Sequence, residues 1–331
     1  MLNPRRTIAE LTELRTLTGD ADGAQRVAFT PAWVNARKFL TDKLAQVPNV
    51  ESHRDPAGNL WATLRGKSPR ALLIGGHIDS VPNGGWLDGC LNTLAGLEIL
   101  RRIADEFHGQ PPLTLRLVDW ADEEGARFGR SLFGSSAFSG SLVPDEVRSL
   151  RDKSGISLPD ALHSVGLDLD HALDARSEQK DAVAYLELHI EQGPVLLSKN
   201  LPLGVVLGTF GVERHQVTFT GQAAHSGSTP MPHRKDALAG VSRLHLFVRE
   251  LASRLGNGAV ATVGSVTTQP GIVTSVVAEA TMTLDMRHLD AKTLAQMYQD
   301  AQSASHQIAK EEKITVEWKT LWQIQPFPFH P

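Results

Sequence analysis

Three short apolar runs in this chain each end on histidine or carboxylate side chains, and that arrangement restricts the folds open to it. They lie in "ALLIGGHIDS" (71–80), "LTLRLVDWADEEG" (113–125) and "AYLELHIEQG" (184–193). Brief apolar runs of this kind, bounded by glycine and polar residues, read as buried strands. Between the first two, "TLAGLEILRRIADEF" puts Leu94, Leu97, Leu100, Ala104 and Phe107 on one helical face. Strand, helix, strand, with polar residues at the strands' C-terminal ends, predicts an α/β sheet whose crevice lies at that edge.

Upstream, "PAWVNARKFLTDKLAQV" reads as a helix and "NLWATLRG" as a strand. A polar stretch from about 141 to 181 reads as surface helices and loops, after which "AYLELHI" resumes the buried-strand pattern. From about residue 207 the order changes to strand, helix, strand, strand, helix, strand, ending at "ITVEWKTL". That is the β-α-β-β-α-β pattern of a complete small sandwich of sheet and helices. The last residues, "WQIQPFPFHP", are aromatic and proline-rich, unlike a polar surface tail, and read as a chain about to enter further structure.

Composition narrows the function classes. A chain of 331 residues, 41% hydrophobic, is long enough for two compact domains. With 33 basic and 37 acidic residues, it carries no footprint for nucleic acid or an anionic membrane, and a small-molecule partner is expected. "MLNPRRTIAELTEL" has charges at helical spacing and no apolar segment of a secretion signal, and the longest apolar runs are far too short to cross a bilayer. Cys90 is the only cysteine, so no internal disulfide can form, which suits a reducing cytoplasm.

The chemistry gathers at the strand ends. His77 and Asp79 lie on one side of an extended chain, so Asp79 either binds a metal with His77 or orients its ring; orientation is the favoured reading. Asp88 returns across the Gly84-Gly85 bend, close enough to share that site. H-x-D after a strand also describes a turn histidine with a capping aspartate. Adjacent Glu123 and Glu124 repel each other in a dry crevice unless cations neutralise one, which would divide them into a ligand and a base; paired glutamates also describe an exposed acidic turn. His189 closes the third run. Later, His225 sits in the small-residue turn "GQAAHSGSTPM", suited to stabilising an oxyanion, and Arg287 in "LDMRH" suits a carboxylate. Cys90 reads as a packed thiol, since no histidine base is paired with it by sequence.

Together, "GGHIDSVPNGGWLDG", "ADEEGARFG", "LELHIEQGP", "GQAAHSGSTPM..RKDAL" and "LDMRHLD" resemble the hydantoinase/carbamoylase family. The likeness is to the N-carbamoyl-L-amino acid hydrolase and allantoate amidohydrolase branch of the dinuclear aminoacylase-type metallohydrolases. It implies a mixed-sheet catalytic domain over 1–206, an inserted ferredoxin-like lid and dimerisation domain over 207–320, and the start of a return to the catalytic domain at 321–331. It also implies two divalent ions, zinc or manganese. His77, Asp88 and His189 hold one; Asp88 bridges to the second, which Glu124 also binds. Glu123 is then the general base for a bridging water, Asp79 orients His77, and Gln192 and Arg287 contact substrate. His225 polarises the scissile carbonyl, reaching into the partner subunit of a homodimer.

Two departures accompany the likeness. Thr274 in "PGIVTSVV" stands where many relatives have a substrate-binding asparagine. Relatives also continue past the lid to supply a last histidine ligand for the second metal, a role His330 is not placed to take, so the chain is expected to lack the C-terminal part of the catalytic domain. The implied reaction is hydrolysis of a linear ureido or amide C–N bond in a small acid. The alternatives are an impaired remnant that dimerises or binds ligand without turnover, and an aminoacylase or dipeptidase.

Overall fold

The structure is a computed structural model and describes residues 1–330. It divides into two compact units, Met1–Val195 and a second that begins at Leu196.

The first unit opens with helices α1 (Pro4–Thr18) and α2 (Pro31–Leu44). Each starts on a proline behind a capping side chain: Asn3 accepts from the Arg6 amide and Thr30 from the Trp33 amide. Strands β1 (Val50–Arg54), β2 (Leu60–Leu64) and β3 (Ser68–His77) follow, then α3 (Cys90–Glu106) and β4 (Leu113–Trp120). Short helices α4 (Phe133–Ser139), α5 (Pro144–Val147) and α6 (Leu158–Ser164) and a 3-10 helix (Leu169–Gln179) lead to β5 (Ala182–Leu186). The five strands form one mixed sheet in the order β1-β2-β4-β3-β5. β3 runs parallel to β4 and β5, while β2 is antiparallel to both β1 and β4.

One core joins Ile74 and Leu117 of the sheet to α1, α2 and α3. As the helical spacing predicts, Leu94, Leu97, Leu100 and Ala104 are buried, while Phe107, one residue past the helix, is 38% exposed. On the opposite face Trp61, Trp120 and Phe138 pack ring to ring, with centroids 5.1 to 5.6 Å apart.

Two sequence expectations fail here. The stretch 141–181 is not a surface annex: Leu142, Val147, Leu158, Leu162, Leu169, Ala172 and Ala175 enter the same core as α1 and α2. Its polar residues point outward from short helical turns, which dilutes the apolar signal. β5, expected to be buried, is an edge strand paired with β3, and Val183 and Leu186 are 46% and 59% exposed.

After one helical turn, α7 (Val195–Ser198), the second unit contains β6 (Gly208–Thr209), β7 (Gly211–Thr220), β8 (Ala224–His225), α8 (Ala237–Leu255), β9 (Val260–Gln269), β10 (Ser275–Val276), β11 (Glu279–His288), α9 (Ala291–Glu312), β12 (Thr315–Ile324) and β13 (Phe327–Pro328). Asp236 and Asp290 cap its two long helices. Its four-stranded sheet is antiparallel throughout, in the order β12-β7-β11-β9. Alternate residues Val217, Phe219, Met282, Leu284 and Met286 pack under α8 and α9. The other face is polar, with Thr218 bonded to Thr281 and Ser265 to Thr283, each at 3.0 Å. The aromatic last residues pair with the unit's own first strand, Phe327 opposite Thr209.

Candidate functional site

β3 delivers His77 as its last residue, and the imidazole is 3% exposed. Its Nδ1 lies 3.1 Å from the backbone carbonyl of Asp79 and 3.6 Å from that residue's carboxylate. A ring nitrogen facing a carbonyl carries the proton, so Nε2 is left with its lone pair. Asp79 therefore meets the ring mainly through its main chain. Its carboxylate has another task, accepting the amides of Glu123 at 3.2 Å and Glu124 at 3.1 Å. This carboxylate fastens the turn after β4 to the end of β3.

Asp88 sits just before α3. Gly89, which begins that helix, has φ +65°, and a Cβ there would collide with the carbonyl and ring of His77; only glycine lets the chain pass the imidazole so closely. His189 lies three residues beyond β5 rather than on it, since the strand stops at Leu186. Its Nδ1 faces the Ile190 carbonyl at 2.6 Å, which again leaves Nε2 free, 3.5 Å from Asp88 Oδ1. That Oδ1 is buried and has no hydrogen-bond partner, while Gln192 donates to the other oxygen. One donor atom each from His77, Asp88 and His189 lies within 4.8 Å of the others. Two lone-pair-bearing rings and an unsatisfied carboxylate oxygen form a donor set that fits a divalent cation.

Glu123 comes next to this set, with Oε2 3.6 Å from His77 Nε2. Burial chiefly pushes its carboxyl up to about 7, with Asp79, Glu124 and Glu187 adding to the rise and His77 opposing it. Glu124 is raised too, mainly by burial, and it lies outside the converging trio. For His77, burial opposes the charged form, but the carboxylates of Asp79, Glu123, Glu124 and Asp88 outweigh it and raise the pKa. Four carboxylates thus surround one imidazole. Cys90 is buried, its thiol pushed up to about 12 chiefly by burial, consistent with packing rather than nucleophilic chemistry.

Several supporting residues escaped the sequence reading. Asp119 accepts from the Ile78 amide at 2.8 Å and faces Arg37 Nε at 2.8 Å. Arg26 is fully buried and donates from Nε to the Ile78 carbonyl at 2.7 Å. Glu187 accepts from Asn92 at 2.7 Å and from Tyr185 at 2.6 Å. The arginines in "AQRVAF" and "NARKFL" carried a signal, a charge inside an apolar pattern, but no indication of a partner.

In the second unit, His225 ends β8, paired with Ser275 of β10. Its Nδ1 accepts from the amides of Gly227 at 3.1 Å and Ser228 at 3.2 Å. The neutral ring then carries its proton on Nε2, opposite to His77 and His189. Thr274 is held beside it, its carbonyl 3.0 Å from the Ser226 amide. Arg287 is not with them. It lies near the far end of β11, eight residues or roughly 26 Å of strand from Glu279. There it shares the Asp285 carboxylate with Arg214, at 2.7 Å each.

Fold and donor set together define an α/β protein with a candidate metal site at the C-terminal edge of a mixed sheet. Residues 73–330 match Peptidase family M20/M25/M40, and the chain belongs to that family. It is 34% identical over 312 residues to an allantoate amidohydrolase of Escherichia coli K12, covering 94% of this chain and 75% of the relative. It is 35% identical over 307 residues to an N-carbamoyl-L-amino acid amidohydrolase of Geobacillus stearothermophilus, covering 92% and 74%. A solved amidase of the hydantoinase/carbamoylase family from Burkholderia multivorans aligns with TM-score 0.90 and 29% identity, covering 100% of this chain and 80% of that one. Among the described residues, no helix is long and apolar enough to cross a membrane.

Proposed function

We propose that this chain is a metal-dependent amidohydrolase that cleaves a linear C–N bond in N-carbamoyl-L-amino acids or allantoate-like ureido acids. The observation that carries this reading is the trio His77, Asp88 and His189, with both rings tied at Nδ1 to backbone carbonyls and Asp88 Oδ1 unsatisfied. The relatives named for ureido substrates support the substrate class.

His77, Asp88 and His189 would hold one divalent ion, zinc or manganese, and Asp88 and Glu124 would contribute to a second. Bound there, the ions supply Lewis-acid polarisation and a water made acidic enough to attack near neutral pH. Glu123 takes the proton from the attacking water at a carboxylate oxygen and delivers it to the leaving nitrogen. Asp79 positions Glu123 and Glu124 through their amides. His225 donates from Nε2 to the carbonyl oxygen as negative charge develops. Arg287 pairs with the substrate carboxylate, and Gln192, already on Asp88, lies along the substrate. Thr274 borders the His225 turn. An N-carbamoyl amino acid is split by water into the amino acid and carbamate, which breaks down to ammonia and carbon dioxide.

His225 lies on the β8–β10 pair and Arg287 on β11 of the four-stranded sheet. We read the two as serving one substrate across a homodimer, His225 from one protomer and Arg287 from the other. The test is direct: strip the protein with chelator, add zinc or manganese, and measure ammonia released from N-carbamoyl-L-amino acids and from allantoate. Turnover that requires the metal supports the proposal; a metal-loaded protein inert toward both substrates refutes it.

A further inference from the structure

The turn around His225 contains a device that its role as a donor does not by itself require. Two backbone amides converge on one ring nitrogen, Gly227 N at 3.1 Å and Ser228 N at 3.2 Å from Nδ1. Such a pair forms only if the peptide planes of the turn face inward. Arg234 grips that turn from outside: Nη2 donates to the Ser226 carbonyl at 2.6 Å and Nε to the Thr229 carbonyl at 3.0 Å.

The Ser226 carbonyl and the Gly227 amide belong to one planar peptide unit, with C=O and N–H pointing in opposite directions. Fixing the oxygen outward therefore aims the N–H at His225. A charge-assisted bond to that oxygen also polarises the peptide and strengthens its N–H as a donor. A rigid guanidinium suits this task because its fork reaches two carbonyls at once, whereas an ammonium is a single point of charge.

The ends of the loop are anchored independently of Arg234. Gln222 bridges to Lys235, with Gln222 N donating to the Lys235 carbonyl at 2.9 Å. Asp236 caps α8 by accepting from the Leu238 amide at 3.0 Å, and Lys313 Nζ reaches the Pro232 carbonyl at 3.3 Å. Loss of the guanidinium loosens the tip of the turn, which keeps the bonds from the Ser226 amide to the Thr274 carbonyl at 3.0 Å and from the Thr229 amide to the His225 carbonyl at 3.1 Å, and leaves its base in place.

We infer that Arg234 is a positioning residue for His225: by holding the Ser226 carbonyl it turns the Gly227 amide onto Nδ1, and by holding the Thr229 carbonyl it fixes the far end of the turn that carries the Ser228 amide, and so keeps the ring an Nε2–H donor. The inference rests on the proposed catalytic role of His225 only for its kinetic consequence. The tautomer itself is observable without substrate.

The experiment uses the full chain labelled with 15N-histidine, wild type and the variants Arg234→Met, Arg234→Lys, His225→Gln and Arg234→Met/His225→Gln. Long-range 15N–1H spectra identify the His225 ring by its loss in His225→Gln. The wild-type ring should show the proton on Nε2, and Arg234→Met a mixture of tautomers, with Arg234→Lys between them. Arg234→Met should lower kcat about 10- to 100-fold with KM changed less than about threefold, and should cost nothing further in the His225→Gln background. A thermal midpoint close to wild type excludes general unfolding. An Arg234→Met protein that keeps a pure Nε2–H ring overturns the inference, as does an equal loss with and without His225. If the tautomer shifts but His225→Gln retains wild-type turnover, Arg234 does position the ring and the catalytic role proposed for His225 falls.

Discussion

His77 and His225 are both strand-end histidines, yet the backbone around them assigns opposite properties. At His77, as at His189, Nδ1 faces a main-chain carbonyl and Nε2 offers a lone pair. At His225, Nδ1 faces two main-chain amides and Nε2 offers a proton. A metal needs the first arrangement and a developing oxyanion the second. Residue identity alone does not separate a ligand from a donor; the partner of the hidden nitrogen does.

The sharpest way to break this contrast is to remove the carboxylate that joins the two ligand rings. Asp88→Ala should weaken metal binding by more than the roughly 10- to 100-fold typical of losing an outer partner, read by calorimetric titration of zinc into chelator-stripped protein, while the His225 tautomer stays unchanged. Glu123→Gln should lower kcat by about 10²- to 10⁴-fold, the range for a lost general base, with zinc affinity retained; an equal loss of metal would make Glu123 a ligand instead.

Asp79→Ala sharpens the comparison because it separates main chain from side chain. The carbonyl that holds His77 remains, while the bonds to the Glu123 and Glu124 amides disappear. Activity should fall by about 10- to 100-fold, and more through kcat than through metal affinity. If metal affinity falls as far as activity, the carboxylate 3.6 Å from His77 matters more than the carbonyl.

The smallest effect lies away from both rings. Burial works to raise the Asp285 pKa, but the bonds from Arg287 and Arg214 outweigh it and hold it below the usual 3.8. A carboxyl lowered on folding stabilises the protein above the unfolded value and loses that contribution as pH falls through the folded one. The melting-temperature gap between wild type and Asp285→Asn should therefore be full at neutral pH and shrink below about pH 4.

Much of the frame was legible because it rests on local pattern. The 3.6-residue spacing of Leu94, Leu97, Leu100 and Ala104 made α3 readable, and the apolar runs marked β3 and β4. His77 and His189 stand at the ends of such runs, but grouping them with Asp88 as one ligand set came from the resemblance to the family, and the structure brings the three together. What stayed hidden depends on contacts distant in sequence. Nothing in "HID" shows that Asp79's carboxylate reaches two amides more than forty residues away, or that Arg37 faces Asp119. The stretch 141–181 was misread because its short helices bury only one or two residues per turn, below what periodicity can detect. The placement of His225 on the β8–β10 pair, apart from Arg287 on β11, likewise needed the strand pairing.

The most direct measurement is a zinc titration of the 15N-histidine-labelled, chelator-stripped protein, following individual rings. The account predicts that the Nε2 resonances of His77 and His189 move as zinc binds, each with its proton kept on Nδ1, while His225 holds its proton on Nε2 and does not respond. Zinc binding at His225, or a His77 ring that stays unmoved through saturation, would contradict it.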